Sequence, residues 1–175
     1  MRSLHEVFLS YRLRRLRFAS VSTINQFEVS IGNFFAYLGR RPTVAHLRSE
    51  TVLSAMEWQL TRGRSPATVN KFRANILALW RFAIEENLTK ARPDVQKVDE
   101  PDEIPVIWSA SQLRSLYDTL QTIPGTYAGV PARAFWLALH GVLWDTGERI
   151  GAVLQTRTAD VDLVQQIIVF RGATR

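Results

Sequence analysis

The chain has 175 residues and a net charge of +6, and its 46% hydrophobic and 22% charged content is typical of a globular protein and excludes a disordered one. With no cysteine, disulfides, thiolate metal sites and a cysteine nucleophile are excluded. No run of about 18 apolar residues occurs and the start lacks the apolar core of a signal peptide, so we expect a cytoplasmic protein with no membrane partner.

The first predicted elements are helical. Residues 4–18 mix apolar side chains with four arginines, which predicts either a short helix with a basic face or a partly ordered arm. Apolar residues recur at three- and four-residue steps from Val21 to Leu38. This spacing predicts a helix that begins at Ser20 or Ser22 and stops at Gly39.

Two further helices are predicted in the first half of the chain. Apolar residues over 52–60 predict one that ends near Gly63. Ser65 before Pro66 places a capping hydroxyl ahead of a proline at the first helical position, which predicts the start of a long helix. We expect the aromatic rings along its apolar stripe to be core residues and not platforms for nucleic-acid bases.

Residues 93–106 are predicted to form a linker. Three prolines block helix propagation there, and five acidic residues against one lysine keep the segment in water. The change in composition on either side predicts a boundary between one domain over residues 1–92 and a second over residues 107–175.

The second domain is predicted to open with a helix, because Ser109 and Gln112 have capping-box spacing. The later predicted elements are a loop over 124–129, a helix over 131–144, a short helix from Glu148, and a β-hairpin of residues 161–163 and 167–170. Together the patterns predict a mainly α chain.

The positive charge is concentrated in the first half of the chain. Residues 1–93 hold 15 Lys and Arg against 6 acids, residues 94–106 have a net charge of −4, and residues 107–175 are almost balanced. Arginine supplies 19 of the 22 cations, and its planar fork of donors suits phosphate oxygens. The first domain therefore suggests a polyanion partner, most often nucleic acid. The alternative is a solvated surface in an organism that uses arginine in place of lysine.

Sites of other chemical classes are not indicated. The chain has no glycine-rich phosphate loop and no nucleophile-elbow serine. Its histidines, His5, His46 and His140, are too scattered to suggest a metal site. We therefore expect neither a metal nor a small-molecule cofactor.

Residues 142–163 resemble the tyrosine recombinase, or phage integrase, family. In that family a helix ends in a T-G-x-R motif, and an L-x-W-x-D-V-D-L pattern then leads into a β-hairpin. Thr146, Gly147 and Arg149 match the first motif, and residues 160–163 match the end of the second.

The resemblance extends to the first domain and implies a fold and a function. The segments that open at Ser22 and Ser65 are similar to the family's core-binding domain, which implies a SAM-like four-helix domain followed by an incomplete α+β catalytic domain ending in a β-hairpin. The complete enzyme would cleave and rejoin DNA through a 3′-phosphotyrosine intermediate, in site-specific recombination and DNA integration. Arg149 would bind the scissile phosphate, because a guanidinium can hold two non-bridging oxygens as charge builds on them.

Two departures from the family pattern bear on activity. The acidic residue expected three positions after the arginine is Ala152 here, and Glu148, directly before Arg149, is the alternative carboxylate. The family's catalytic lysine, H-x-x-R motif and nucleophilic tyrosine are expected beyond the start of the catalytic domain, and all four tyrosines of this chain precede Arg149. We therefore predict that this chain is the front portion of a recombinase and is inactive alone.

Double-stranded DNA is the expected partner of the first domain. A helix start offers free N–H groups to phosphates, and nearby arginines and hydroxyls add to it. The candidate DNA contacts are Arg62, Arg64, Ser65, Thr68, Asn70, Lys71, Arg73 and Arg81.

A different interpretation is a non-enzymatic helical regulatory or protein-interaction module derived from an integrase. An incomplete second domain would leave apolar surface and a hairpin edge uncovered, which predicts self-association or disorder over residues 107–175.

Overall fold

The computed structural model describes residues 2–102 and 107–170, and the chain divides into two compact units, Met1–Glu103 and Ile104–Arg175. The described residues are mainly helical with two small antiparallel sheets, as the sequence predicts. The end of the predicted linker, residues 103–106, and the segment after the predicted hairpin, residues 171–175, lie outside the described residues.

The N-terminal stretch is a helix and not an arm: α1 spans Leu4–Arg15. Ser3 and Glu6 form a capping box, in which the Ser3 Oγ accepts from the Glu6 N–H at 3.2 Å and the Glu6 carboxylate accepts from the Ser3 N–H at 2.7 Å. Three arginines occupy the last turn, where positive charge is favoured by the helix dipole. Local capping and charge therefore explain why this basic segment is ordered.

Helix α2 spans Val21–Leu38 and begins after Ser20, whose hydroxyl accepts from the Thr23 N–H at 3.2 Å. It ends at Gly39, whose φ of 64° is left-handed and suits a residue without a Cβ. A 3₁₀ turn at Val44–His46 leads to helix α3.

Helix α3 spans Ser49–Thr61, and helix α4 spans Pro66–Glu85. Helix α4 packs against the other three helices and is the centre of the first unit. Its Trp80 is fully buried, and the indole N–H donates to the Ala91 carbonyl at 2.7 Å. The expectation that the aromatic residues of α4 are core residues is confirmed, since Phe72, Trp80 and Phe82 are all buried.

The segment after α4 folds back over the first unit. We call residues 91–100 the strap. Val95 is only 5% exposed and belongs to the hydrophobic core, and the Asp94 N–H donates to the Ser49 hydroxyl at 3.0 Å. The strap's acidic side chains remain exposed. The first unit therefore continues past residue 92, because Val95 in the core and the half-buried Val98 beside it dock an otherwise acidic segment.

The second unit contains three helices and two short hairpins among its described residues. These are α5 (Ala110–Thr122), β1 (Thr126–Tyr127), β2 (Val130–Pro131), α6 (Ala132–Thr146), α7 (Ile150–Val153), β3 (Val161–Asp162) and β4 (Ile167–Ile168). Helix α5 packs on α6. The predicted hairpin is present, with Val161 opposite Ile168. The β1–β2 hairpin replaces a predicted loop, and Ala128 and Gly129 at its turn have φ values of 50° and 82°.

The second unit has a small core. Its buried hydrophobic residues, within the described range 107–170, are Leu120, Ala132 and Leu139. Large apolar side chains lie exposed on the same unit, among them Trp108, Trp144, Ile150, Leu154, Leu163 and Val164. Exposed apolar side chains that lie together can mark an interaction surface.

Candidate nucleic-acid interface

The start of α4 is built by local sequence. The Ser65 hydroxyl accepts from the Thr68 N–H at 3.3 Å and lies 2.9 Å from the Thr68 hydroxyl, while Pro66 occupies the first helical turn. Both hydroxyls are on exposed residues. The 20-residue length of α4 gives its N-terminus a full helix dipole, which favours an anion there.

Three exposed cations surround this helix start: Arg62, Arg64 and Lys71. The Arg62 guanidinium stacks on the Trp58 ring, with 4.5 Å from Cζ to the ring centroid. The backbone of Arg64 is fixed by a bond from its N–H to the Gln59 carbonyl at 3.1 Å. None of the three cations has an ion pair with a described residue, so their charge is available to an external anion.

Two of the predicted contacts, Asn70 and Arg73, are directed to the strap. The Asn70 amide donates to the Val98 carbonyl at 2.8 Å and accepts from the Val98 N–H at 2.9 Å, and Asn70 is only 8% exposed. Arg73 donates from Nε and Nη2 to the Val95 carbonyl at 2.8 and 2.5 Å. From their positions in the helix alone, both residues are expected on the surface. The strap covers them: Val95 follows Arg73 by 22 positions, and Val98 follows Asn70 by 28.

The predicted contact Arg81 does not join the cluster. It is exposed, but it lies ten residues beyond Lys71, which is about 15 Å further along the helix axis. The cluster at the start of α4 therefore keeps five of the eight predicted residues: Arg62, Arg64, Ser65, Thr68 and Lys71.

A groove between α2 and α4, lined by amide side chains and by the apolar Val29 and Phe72, adjoins the cluster and was missed by the sequence prediction. Asn25, Gln26 and Asn33 line it from α2, and Thr68 and Lys71 line it from α4. Amide side chains can both donate to phosphates and bind base edges. The signal in the sequence is the recurrence of amides on the polar face of α2.

The two walls of this groove are held together by Asn75. Its Nδ2 donates to the Gln26 carbonyl at 3.1 Å and to the Ser30 hydroxyl at 2.9 Å, and both Asn75 and Ser30 are buried. A buried amide with its donors satisfied fixes the separation of the two helices. The groove is therefore a preformed feature of the first unit.

Arg149 lies on the second unit as the exposed N-cap residue of α7, after Gly147 ends α6 with a φ of 64°. The Glu148 carboxylate accepts from the backbone N–H of Arg149 at 3.3 Å. The guanidinium makes no ion pair with a described residue, and the position three residues later is the half-buried Ala152. No carboxylate among the described residues thus orients Arg149 in this structure.

The described part of the chain contains no group of three or more His, Asp or Glu side chains placed to hold a metal ion. None of its helices is long and apolar enough to cross a membrane.

Comparison with known proteins shows a distant likeness to a tyrosine recombinase. It is similar to the "Putative tyrosine recombinase XerC" of Pseudomonas aeruginosa, with 26% identity over 149 residues that cover 79% of this chain and 35% of the relative. The chain thus spans about a third of the length of this relative. No protein-family profile matches the chain. No solved structure matches it either. The likeness supports a distant relation to tyrosine recombinases.

Proposed function

We propose that the first unit binds duplex DNA as the SAM-like core-binding domain of a tyrosine recombinase, and that the chain is the front portion of such an enzyme. The observation that carries the proposal is the set of exposed cations without ion pairs to described residues around the capped start of α4. The likeness to the Pseudomonas recombinase supports it. Site-specific recombination or DNA integration is the process in which it would act.

In the proposed complex the start of α4 faces the sugar–phosphate backbone. Arg64 and Lys71 contact phosphates as cations, and the Ser65 and Thr68 hydroxyls add neutral hydrogen bonds. Arg62 approaches in a fixed orientation, because its stacking on Trp58 has already restricted its side chain. The amides of α2 offer the few contacts that could carry sequence preference.

The test is the affinity for a random-sequence duplex, measured by fluorescence anisotropy over a range of salt concentrations. The double variant R64Q/K71M removes two proposed phosphate contacts, and R12Q/K90M is the control, because Arg12 and Lys90 are also exposed cations of the first unit. Only R64Q/K71M should reduce the slope of log K against log salt, by about 2. Equal losses in both double variants would show that net charge, and not this surface, binds DNA.

For the second unit we propose that Arg149 binds the scissile phosphate in the complete enzyme and that this chain alone does not cleave DNA. Three of its four tyrosines are engaged in ring packing: between centroids, Tyr11 lies 5.3 Å from Phe82, Tyr37 lies 6.0 Å from Trp58, and Tyr127 lies 4.3 Å from Phe135. Incubation with a nicked duplex, followed by a denaturing gel, should show no covalent protein–DNA adduct. An adduct lost on changing one of the four tyrosines to Phe would refute this proposal.

A second candidate function, a protein-interaction module derived from an integrase, is favoured by the exposed apolar side chains of the second unit. Self-association through this surface would bury residues such as Trp144 and Leu154, which are 66% and 56% exposed. Size-exclusion chromatography with and without duplex separates the two functions, because an interaction module would elute at the same position in both runs. A concentration-independent monomer would argue against self-association.

A further inference from the structure

The strap ends where the proposed DNA contacts begin. It runs antiparallel to α4, and its bonds in chain order are Ala91 to Trp80, Val95 to Arg73, and Val98 to Asn70. The partners on α4 therefore step back by ten residues, about 15 Å, toward the N-terminus of the helix. The acidic end of the strap is thereby brought to the end of α4 that carries Lys71.

The Asn70 side chain holds this end of the strap by pairing with its backbone. It exchanges two hydrogen bonds with the backbone of Val98, and its Nδ2 also donates to the Glu100 Oε1 at 2.7 Å. With Asn70 only 8% exposed, all of its polar groups are engaged by the strap. The contact is specific and does not result from charge attraction alone.

The Glu100 carboxylate accepts hydrogen bonds from an amide and an ammonium, which are also donors to phosphate oxygens. Its Oε1 lies 3.0 Å from the Lys97 Nζ as well as 2.7 Å from the Asn70 amide. Hydrogen bonds from Lys97 and then Asn70 hold the pKa of Glu100 below its ordinary value, so the side chain is anionic at neutral pH. Lys71 is the next residue along α4, and its ammonium has no ion pair with a described residue.

We propose that Glu100 is an internal substitute for a DNA phosphate, which occupies the donors beside the start of α4 until duplex DNA displaces it. The inference rests on the proposed function and adds a regulatory contact to the same surface. The body of the strap stays in place, since Val95 is part of the core. Only the end from Val98 onward is released.

The consequence is a brake on nonspecific DNA binding. A carboxylate repels a phosphate strongly only within about one Debye length, which is about 10 Å at 0.1 M salt. Glu100 bonds the Asn70 amide, and Asn70 directly precedes Lys71 in α4, so the carboxylate lies toward the N-terminal end of the helix. Glu85, at the other end of α4, lies about 26 Å from Thr68 by helix rise and is screened from it.

The test compares E100Q with E85Q, which change the net charge equally on exposed residues of the same unit. Glutamine keeps an acceptor oxygen for Asn70, so the strap should remain docked in E100Q. At about 50 mM salt we expect E100Q to bind a random duplex about threefold more tightly than the wild type, and E85Q to change affinity less than about 1.5-fold. Equal affinities of the two variants would overturn the inference.

A second measurement follows the strap itself. The Val98 N–H is protected by Asn70 Oδ1, so its hydrogen exchange reports release of the strap end. In the wild-type chain, saturating duplex should accelerate exchange at Val98 at least tenfold and leave core amides of α4 unchanged. Unchanged protection of Val98 in the complex would overturn the displacement. A wild-type chain that binds no duplex at low salt would overturn the proposed function itself, whereas the other two failures leave DNA binding intact.

Discussion

Asn70 is the position at which a structural and a DNA-contact role predict different results. Asn70→Ala removes three hydrogen bonds to the strap, each with a net contribution of about 0.5–1.5 kcal/mol. The strap groups regain water when they are released, so the lower part of that range applies. We expect a loss of about 2 kcal/mol in the free energy of unfolding of the first unit.

Asn70→Asp keeps the shape of the side chain but replaces the hydrogen-bond donor group with an acceptor. It keeps the acceptor for the Val98 N–H, loses both donations, and places a carboxylate against the Val98 carbonyl and the Glu100 carboxylate. At pH 7 the Asp variant should therefore be at least as destabilised as the Ala variant. The neighbouring Glu100 raises the pKa of the new carboxyl in the folded state above its value in the unfolded chain. The loss of stability is therefore complete above the folded pKa, and it is relieved as the pH falls through that pKa, because the protonated carboxyl can donate a hydrogen bond again.

Urea unfolding followed by tryptophan fluorescence measures these differences, and Trp80 lies against the strap at Ala91. Gln96→Ala is the control, because Gln96 is an exposed strap residue and should change stability by less than about 0.5 kcal/mol. An Asp variant more stable than the Ala variant at pH 7 would refute the assignment of Asn70 as a double donor. A loss of DNA affinity in Asn70→Ala without faster exchange at Val98 would show instead that Asn70 contacts DNA while the strap stays docked.

Three further predictions concern stability. Ala128→Gly should stabilise the second unit by about 1 kcal/mol and so raise its melting temperature, because Ala128 has a φ of 50° in the β1–β2 turn, which glycine adopts without strain. An unchanged melting temperature would mean that the turn relaxes without cost. Gln59→Met should stabilise the first unit by about 1 kcal/mol in urea unfolding, since the buried Gln59 Oε1 has no hydrogen-bond partner in the described structure; destabilisation would contradict this. Burial and then the charge of Arg40 lower the pKa of His46 below 6.5, so the unfolded chain takes up this proton first and stability falls as the pH drops below about 6.5. His46→Asn, whose oxygen can still accept from the Thr43 N–H, should flatten that pH dependence, and an unaltered profile would assign it to another group.

The sequence predicts best the features that depend on neighbouring residues. The start of α4 follows from Ser65 and Pro66 alone, and the end of α2 follows from Gly39, because capping and backbone freedom act within one turn. The hairpin of β3 and β4 was also accessible, because two apolar segments flank a polar turn. In each case a short segment contains the whole cause.

The strap and the β1–β2 hairpin could not be predicted in this way. Docking of the strap depends on Val95 meeting a core built by residues far away in sequence, and on Asn70 bonding Val98, 28 positions later. Composition alone favours a solvated linker, since it counts five acids and gives no weight to the packing of Val95 and Val98. The β1–β2 strands have two residues each and a turn at Ala128, a residue type that seldom adopts a positive φ.

The candidate site could be predicted only in part, for the same reasons. Arg62 stacks on Trp58 at a spacing of four residues, which a helical pattern can reveal. The groove needed the packing of α2 on α4, and the engagement of Arg73 by Val95 needed the strap. Residue type and helix position therefore identified the cations, but only tertiary contacts separate those that are available from those that are occupied.

Docking of the strap also changes the meaning of the charge distribution. The basic block of residues 1–93 and the acidic block that follows belong largely to one compact unit, Met1–Glu103, in which 16 Lys and Arg face 11 acids. The net charge of this unit is thus well below the value that the basic block alone indicates. Because charges beyond about 10 Å are screened at 0.1 M salt, DNA affinity depends on which charges lie near the start of α4. There Arg62, Arg64 and Lys71 favour a phosphate and, in our proposal, Glu100 opposes it, so the balance among these four side chains, and not the total charge, should set the affinity for nonspecific DNA.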